Sequence, residues 1–170
     1  MAQITPVRGA NRIMLLRPFS MRHEVTAGRM AFQTSHEKTL TREAESTITK
    51  DGNINSLSEL EVEYSLETLL AHNDEVRMKI YEAFLNGELI ELWDIDKTYP
   101  TVEGGDQFPA TYFQGYLTEW SETAGAEDSV EVSMSVAING SGVRGNATLT
   151  QDQSTVVQYE FADTIVAPRT

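Results

Sequence analysis

Apolar and polar residues alternate along most of this 170-residue chain, and a period of two predicts half-buried strands. Residues 59–67 (ELEVEYSLE) alternate most cleanly, with Leu60, Val62, Tyr64 and Leu66 on one side and Glu59, Glu61, Glu63, Ser65 and Glu67 on the other. Glu and Leu favour helix by propensity, but strict alternation over nine residues predicts a strand. Its rise sets successive carboxylates of that face roughly 6.6–6.8 Å apart. Residues 129–138 (SVEVSMSVAI) alternate as strictly, turning Val130, Val132, Met134, Val136 and Ile138 inward. Residues 110–121 (ATYFQGYLTEWS) set Tyr112, Gln114, Tyr116, Thr118 and Trp120 on one face, with Phe113, Leu117 and Glu119 on the other. Further strands are expected at 12–17, stopped by Pro18, at 28–34 with Met30 and Phe32 together, at 88–95 (ELIELWDI), and at 143–150.

Two stretches depart from this pattern. Residues 41–50 (TREAESTITK) are polar on both sides and end at Asp51-Gly52-Asn53, a strong hairpin signal because these residues accept the positive φ of tight turns. A strand with no core face belongs in an extended hairpin or against another subunit. The second is a helix at 74–86, with Asn73 as N-cap, Asp74 and Glu75 in its first turn, and Gly87 as the left-handed stop. Val76, Ile80 and Phe84 form its apolar stripe, widened by Tyr81 and Leu85. Residues 97–109, with Pro100 and Gly104-Gly105, read as an exposed loop, and Asn139-Gly140-Ser141-Gly142 as a turn. Residues 151–170 form a C-terminal arm with apolar stretches at 156–161 and 165–166. The sum is a mainly β sandwich or barrel with one packed helix.

Composition narrows the chemistry. A chain of this length can bury a core unaided, and with no cysteine it has no disulfide framework, thiolate nucleophile or Cys–zinc site. No apolar run approaches the ~20 residues of a membrane span. The N-terminus MAQITPVRGANR lacks a signal-peptide core, so a soluble, cytosol-made protein beginning near residue 1 is expected. Net charge is −13, unevenly placed: residues 1–50 carry eight basic and four acidic side chains, residues 51–170 five and twenty-two. Such a body repels phosphate, which argues against a nucleic-acid binder. A basic N-terminal part docking on the acidic surface of a neighbouring copy would build rings or filaments. His23, His36 and His72 fall in no metal-ligand spacing and read as surface or loop histidines. No GxSxG, P-loop or paired-carboxylate cleft is present, so no catalytic residue, metal or cofactor is assigned.

The order of segments resembles one family. STITKDGN (46–53), an alternating strand reaching YSLE (64–67), a helix closed by FLNG (84–87), ELIELW (88–93), YFQGYLTEW (112–120) and DSVEVSMSVAINGSG (128–142) follow one another. Together they resemble the major tail proteins of long-tailed, non-contractile phages, most closely those of lactococcal and related Gram-positive hosts. The likeness spans about residues 10–150 of a single tail tube domain, 1–170. It implies a tail-tube-type sandwich or barrel with extended N-terminal, hairpin and C-terminal arms. It further implies a non-enzymatic virion tail protein, made in the host cytoplasm, whose hexameric rings stack into a tube. The implied partners are further copies of the chain, the tape measure protein, tail terminator and distal tail proteins, and double-stranded DNA in transit without specific binding.

Physical reasoning and the resemblance meet at two groups of residues. Glu59, Glu61, Glu63, Glu119 and Glu131 are candidates for the lumen face, where like charge keeps a polyanion from sticking. Thr41, Arg42, Glu43, Glu45, Thr47, Thr49, Lys50, Asp51 and Gly52 are candidates for contact between subunits, with the C-terminal arm as a second. The alternative function is a monomeric carbohydrate-binding sandwich that uses Tyr112, Tyr116 and Trp120 as a flat aromatic face.

Overall fold

A computed structural model describes residues 3–154. Six antiparallel strands form one sheet in the order β1-β6-β7-β8-β5-β2, and β3 and β4 form a separate hairpin. The strands are β1 (Arg12–Pro18), β2 (Gln33–Thr41), β3 (Ala44–Thr49), β4 (Gly52–Leu57), β5 (Glu61–Leu69), β6 (Ile90–Asp96), β7 (Gln107–Thr123) and β8 (Glu131–Thr148). Helix α1 (Glu75–Asn86) lies between β5 and β6 in the chain, and one turn, α2 (Gln151–Ser154), follows β8.

The alternation decides what is buried. Val62, Tyr64 and Leu66 of β5 and Val132, Met134 and Val136 of β8 share the main core with Met14, Leu16, Ile90, Leu92 and Phe113. Helix α1 covers this core with Ile80 and Ala83, flanked by Val76 and Phe84. A second cluster on the other face of β1 and β6 holds Ile13, Leu15, Ile95, Phe108 and Leu149. Strands β1 and β6 are thus buried on both faces, which accounts for their nearly unbroken apolar runs.

Local departures have local causes. Asp74, not Asn73, caps α1: its carboxylate accepts from the Arg77 amide at 3.1 Å, and Asn73 sits at φ 59°. Ala83 replaces Leu85 on the inner stripe, and Tyr81 and Leu85 stay exposed. The 28–34 strand breaks up, because Gly28 makes a lone bridge to Leu16 and Phe32 adopts φ 54°. Met30 is buried while Phe32 is exposed. The polar strand 41–50 divides at Arg42-Glu43, where Glu43 pairs with Ser58 through backbone and hydroxyl bonds. Strand β7 begins two residues before Pro109, in a stretch where only β8 pairs with it, so the missing proline N–H breaks no ladder on the β6 side.

The expected turn at 139–142 is a bulge. Strand β8 runs on through it, with Gln114 opposite Asn139 and Tyr112 opposite Val143, so three residues face one. Gly140 and Gly142 absorb the excess at φ +72° and +83°. A Cβ on Gly142 would meet the Phe113 ring at 2.3 Å, whereas one on Gly140 would meet nothing within 4 Å. Both substitutions strain a left-handed residue by about 1–2 kcal/mol, and Gly142→Ala adds overpacking of about 1–3 kcal/mol. Chemical denaturation is expected to show Gly142→Ala as clearly the less stable of the two variants.

The sheet also curls until its edge strands approach. The Gln33 side chain at the start of β2 accepts from the Met14 amide (3.2 Å) and donates to the Met14 carbonyl (2.6 Å), standing in for a strand partner on β1. Gly28 does the same for Leu16 with two backbone bonds of 2.9 and 3.1 Å.

Candidate functional site: an acidic sheet face between two open edges

On β7, β8, β5 and β2 the side turned away from the main core is largely exposed, and register places its side chains in rows. One row holds Thr39, Glu63, Ala137 and Tyr116, the next Glu37, Ser65, Ser135 and Glu119, and the next Ser35, Glu67, Ser133 and Ser121. Leu69, Glu131 and Thr123 end the series. Among the described residues of these four strands, no Lys or Arg shares that face. Neighbouring strands lie ~4.8 Å apart, so the face is a dense negative surface interrupted by Ser and Thr hydroxyls and by Leu69, Tyr116 and Ala137. Ser35 Oγ donates to Glu67 at 2.9 Å.

Four of the five expected acidic residues meet here: Glu61 and Glu63 from β5, Glu119 from β7 and Glu131 from β8. Glu59 is exposed in the short segment before β5. Glu37 and Glu67 complete the face, and neither was among the candidates. Glu37 follows His36 in a stretch with no alternation of its own, and only the pairing of β2 with β5 assigns its side.

Glu119 reaches this face through a second bulge. The register of β7 against β8 shifts between Leu117 and Glu119, so Glu119 stands opposite Ser135 and Trp120 opposite Met134. Trp120 therefore turns to the core side, where its ring meets Tyr81 of α1 edge-on at 5.1 Å. The aromatic face of Tyr112, Tyr116 and Trp120 does not exist. Tyr116 is exposed, and Tyr112 stacks on Trp93 and donates to Glu91 at 2.7 Å.

Two features border the acidic face. Past Gly115, β7 loses β6, so among the described residues its 116–123 half has a ladder partner on the β8 side alone. Among the described residues, strand β2 pairs only with β5. The sheet thus ends in two open edges, which proteins rarely leave uncovered. The hairpin β3–β4 extends from the same region and holds Glu45, Thr47 and Thr49 on β3, Lys50 and Asp51 at its tip, and Gly52 at φ +123°. Thr41 ends β2, and Arg42 and Glu43 link it to the hairpin. Ile48 is 83% exposed, and Ile54 and Leu57 are exposed with it. A lone two-stranded ribbon gains little stability by itself.

Beneath the face lies a buried ionic centre. Asp94 of β6 accepts from Arg12 through Nε (3.1 Å) and Nη2 and from the Tyr64 hydroxyl (2.8 Å), with His36 Nε2 at 3.5 Å. Burial pushes its pKa up, but the bonds from His36, Arg12 and Tyr64 outweigh that and hold it at about 2. The Tyr64 hydroxyl is pushed above its ordinary range by burial and then by the Asp94 charge. Glu91, three residues earlier on β6 and on the opposite face of the sheet, is bound by Arg17 at 2.8 Å. His36 is therefore no surface histidine: its side chain is largely covered. The signal in the sequence was the pair of acids inside ELIELWDI (88–95), since buried charge demands a partner.

A family model for phage tail tube proteins matches residues 6–144. The chain belongs to the phage tail tube protein family. Its acidic face, open edges and hairpin are accordingly parts of a structural protein of the virion tail, and the chain is not an enzyme. A tail protein of Staphylococcus phage phiMR25 is 27% identical over 161 residues, covering 92% of this chain and 82% of the relative. The SPP1 tail tube protein superposes with a TM-score of 0.77 at 19% identity, over 92% of this chain and 91% of that one. A tail protein of a gene transfer agent particle gives 0.60 at 10% identity, over 85% and 100%. The sheath–tube complex of an extracellular contractile injection system contains a chain that gives 0.53 at 8%, over 85% and 93%. Tail tubes thus share this fold across very different sequences.

A carboxyl held below its unfolded value contributes stability that is complete above that value and is lost as pH falls to its folded one. For Asp94 the window runs from about pH 4 to about pH 2 and holds about 2 kcal/mol. Urea denaturation of wild type and Asp94→Asn is expected to show a stability difference at pH 7 that narrows by about that amount at pH 2.

Proposed function

We propose that copies of this tail tube chain join edge to edge into rings that stack, with the acidic face lining the channel. The observation that carries this reading is the single acidic face bounded by two unpaired strand edges. Strands β2, β5, β8 and β7 alternate in direction, so a neighbour's β7 can extend β2 and keep every pairing antiparallel. Head-to-tail contacts of this kind close a ring and leave no edge exposed. The gene transfer agent tail was reconstructed with six-fold symmetry, which supports six copies per ring. Four strands from each of six copies, spaced ~4.8 Å and tilted ~40°, make a barrel roughly 40–50 Å across. That leaves a channel wide enough for a DNA duplex.

A wall of carboxylates suits passage rather than binding. Repulsion screened over ~8 Å acts only on DNA close to the wall. Before DNA enters, the tape measure protein fills the same channel, and terminator and distal tail proteins close the two ends. The hairpin β3–β4 and residues 151–170 then serve contacts between copies. The arm from 155 onward lies outside the described residues, and its contact role rests on its apolar stretches at 156–161 and 165–166.

Electron microscopy of the purified chain is expected to show hollow rings or tubes, and a protein that stays monomeric at every concentration and salt would sink the reading. Tubes built from Glu63→Lys/Glu119→Lys/Glu131→Lys chains are expected to retain labelled duplex DNA at low salt, where wild-type tubes release it. Retention by wild type, or none by the variant, would remove this face from the channel. Ile48→Ser/Ile54→Ser is expected to leave the melting temperature of the monomer nearly unchanged while raising the concentration needed for tubes at least tenfold. Unaltered assembly would show that the hairpin makes no contact.

A further inference from the structure

Beside the start of β1 and residues 33–38 of β2 lies a groove of about 860 Å³. Its charged lining is mostly basic: Arg12, Arg29, His36, Lys38 and Lys97, against Glu37 and Asp94. Arg12 is committed to Asp94, and Glu37 accepts from Thr39 at 3.2 Å. Arg29, Lys38 and Lys97 form no ion pair among the described residues. Burial and then the charge of Arg29 lower the pKa of Lys97, so these two cations lie near enough to repel one another. Three unpaired cations gathered in a chain of net charge −13 call for an acidic partner.

We propose that this groove receives the acidic β7–β8 end of a second copy, with Glu122, Glu127 and Asp128 entering it. The inference rests on the edge-to-edge ring and adds the contact that selects its partner. Gln33, Thr68, Val132 and Glu122 lie in one row across the sheet. Continuing that row into the next copy sets its Glu122 beside Gln33, which lines the groove. Glu122 shares the face of Val132, the side that β2 gives to His36, opposite Leu66, and Lys38, opposite Tyr64. The loop that follows then carries Glu127 and Asp128 toward Arg29, just before the start of β2. All three acids are exposed, and Glu122 accepts a hydrogen bond from Trp120 Nε1 at 3.1 Å. Groove and tip are different patches of one surface, so the contact is heterologous, as a ring requires.

Reciprocal charge reversal tests it without needing exact geometry. One variant carries Arg29→Glu and Lys97→Glu, and the other Glu122→Lys and Asp128→Lys. All four positions lie outside the main core, and far-ultraviolet circular dichroism with melting checks that each variant folds. Each alone is expected to need at least tenfold more protein than wild type to form rings or tubes. An equimolar mixture, in which every groove finds a matching tip, is expected to return to the wild-type concentration, as is the chain carrying all four changes. Folded variants that assemble like wild type, or a mixture that gains nothing, overturn the contact while leaving the ring reading intact. Wild-type protein that never forms rings overturns the ring reading itself. A chain ending at Ser154 that fails to assemble, beside reversals that succeed, assigns the groove to residues 155–170 instead.

Discussion

The fold turns on one charge taken out of water. Asp94 sits inside the curl of the sheet, where an isolated carboxylate would be prohibitive, and it remains ionised because β1, β5 and β2 each send it a side chain. Arg12, Tyr64 and His36 are far apart in sequence and on three different strands, so satisfying Asp94 specifies how tightly the sheet must bend. Gln33 and Gly28 then complete the edge of β1 with bonds that no neighbouring strand supplies. A hydrophobic cluster alone would tolerate many curvatures. A buried anion with three donors tolerates few.

That curvature gives the two faces of the sheet their separate roles. The inner face is committed to α1 and the core, so the opposite face of β7, β8, β5 and β2 is free of packing demands and can carry charge of one sign. The bulge after Leu117 is what brings Glu119 onto this face and sends Trp120 beneath α1. One inserted residue thus decides both the electrostatics of the exposed side and the packing of the covered side.

Strand content and facing were legible wherever side chains alternate strictly. The inward set Val132, Met134 and Val136 and the outward set Glu61, Glu63 and Glu67 follow from period alone. The helix was legible for the same reason at its own period, with Gly87 at φ 64° as the expected stop. What escaped depends on partners. Nothing local distinguishes Gly140-Ser141-Gly142 as a bulge rather than a turn, because the difference lies in β7 continuing opposite it. The break at Phe32 is likewise invisible, since a positive φ at an aromatic residue is imposed from outside. His36 gave no sign that it meets Asp94, a contact between elements 58 residues apart. The family was legible because it rests on the order of several weak segments, which no single misread strand disturbs.

The hairpin β3–β4 has a kinetic consequence on the ring-and-stack reading. A ribbon that exposes Ile48, Ile54 and Leu57 and, among the described residues, pairs with no other strand settles into one conformation only at the cost of chain entropy. Two free copies meeting in solution must both lose that freedom for a single contact. A copy arriving at a finished end meets a surface where much of the ordering has already been done. Growth is therefore favoured over initiation, and the protein behaves as a nucleated polymer. It stays dispersed while it accumulates and elongates quickly once an end is offered.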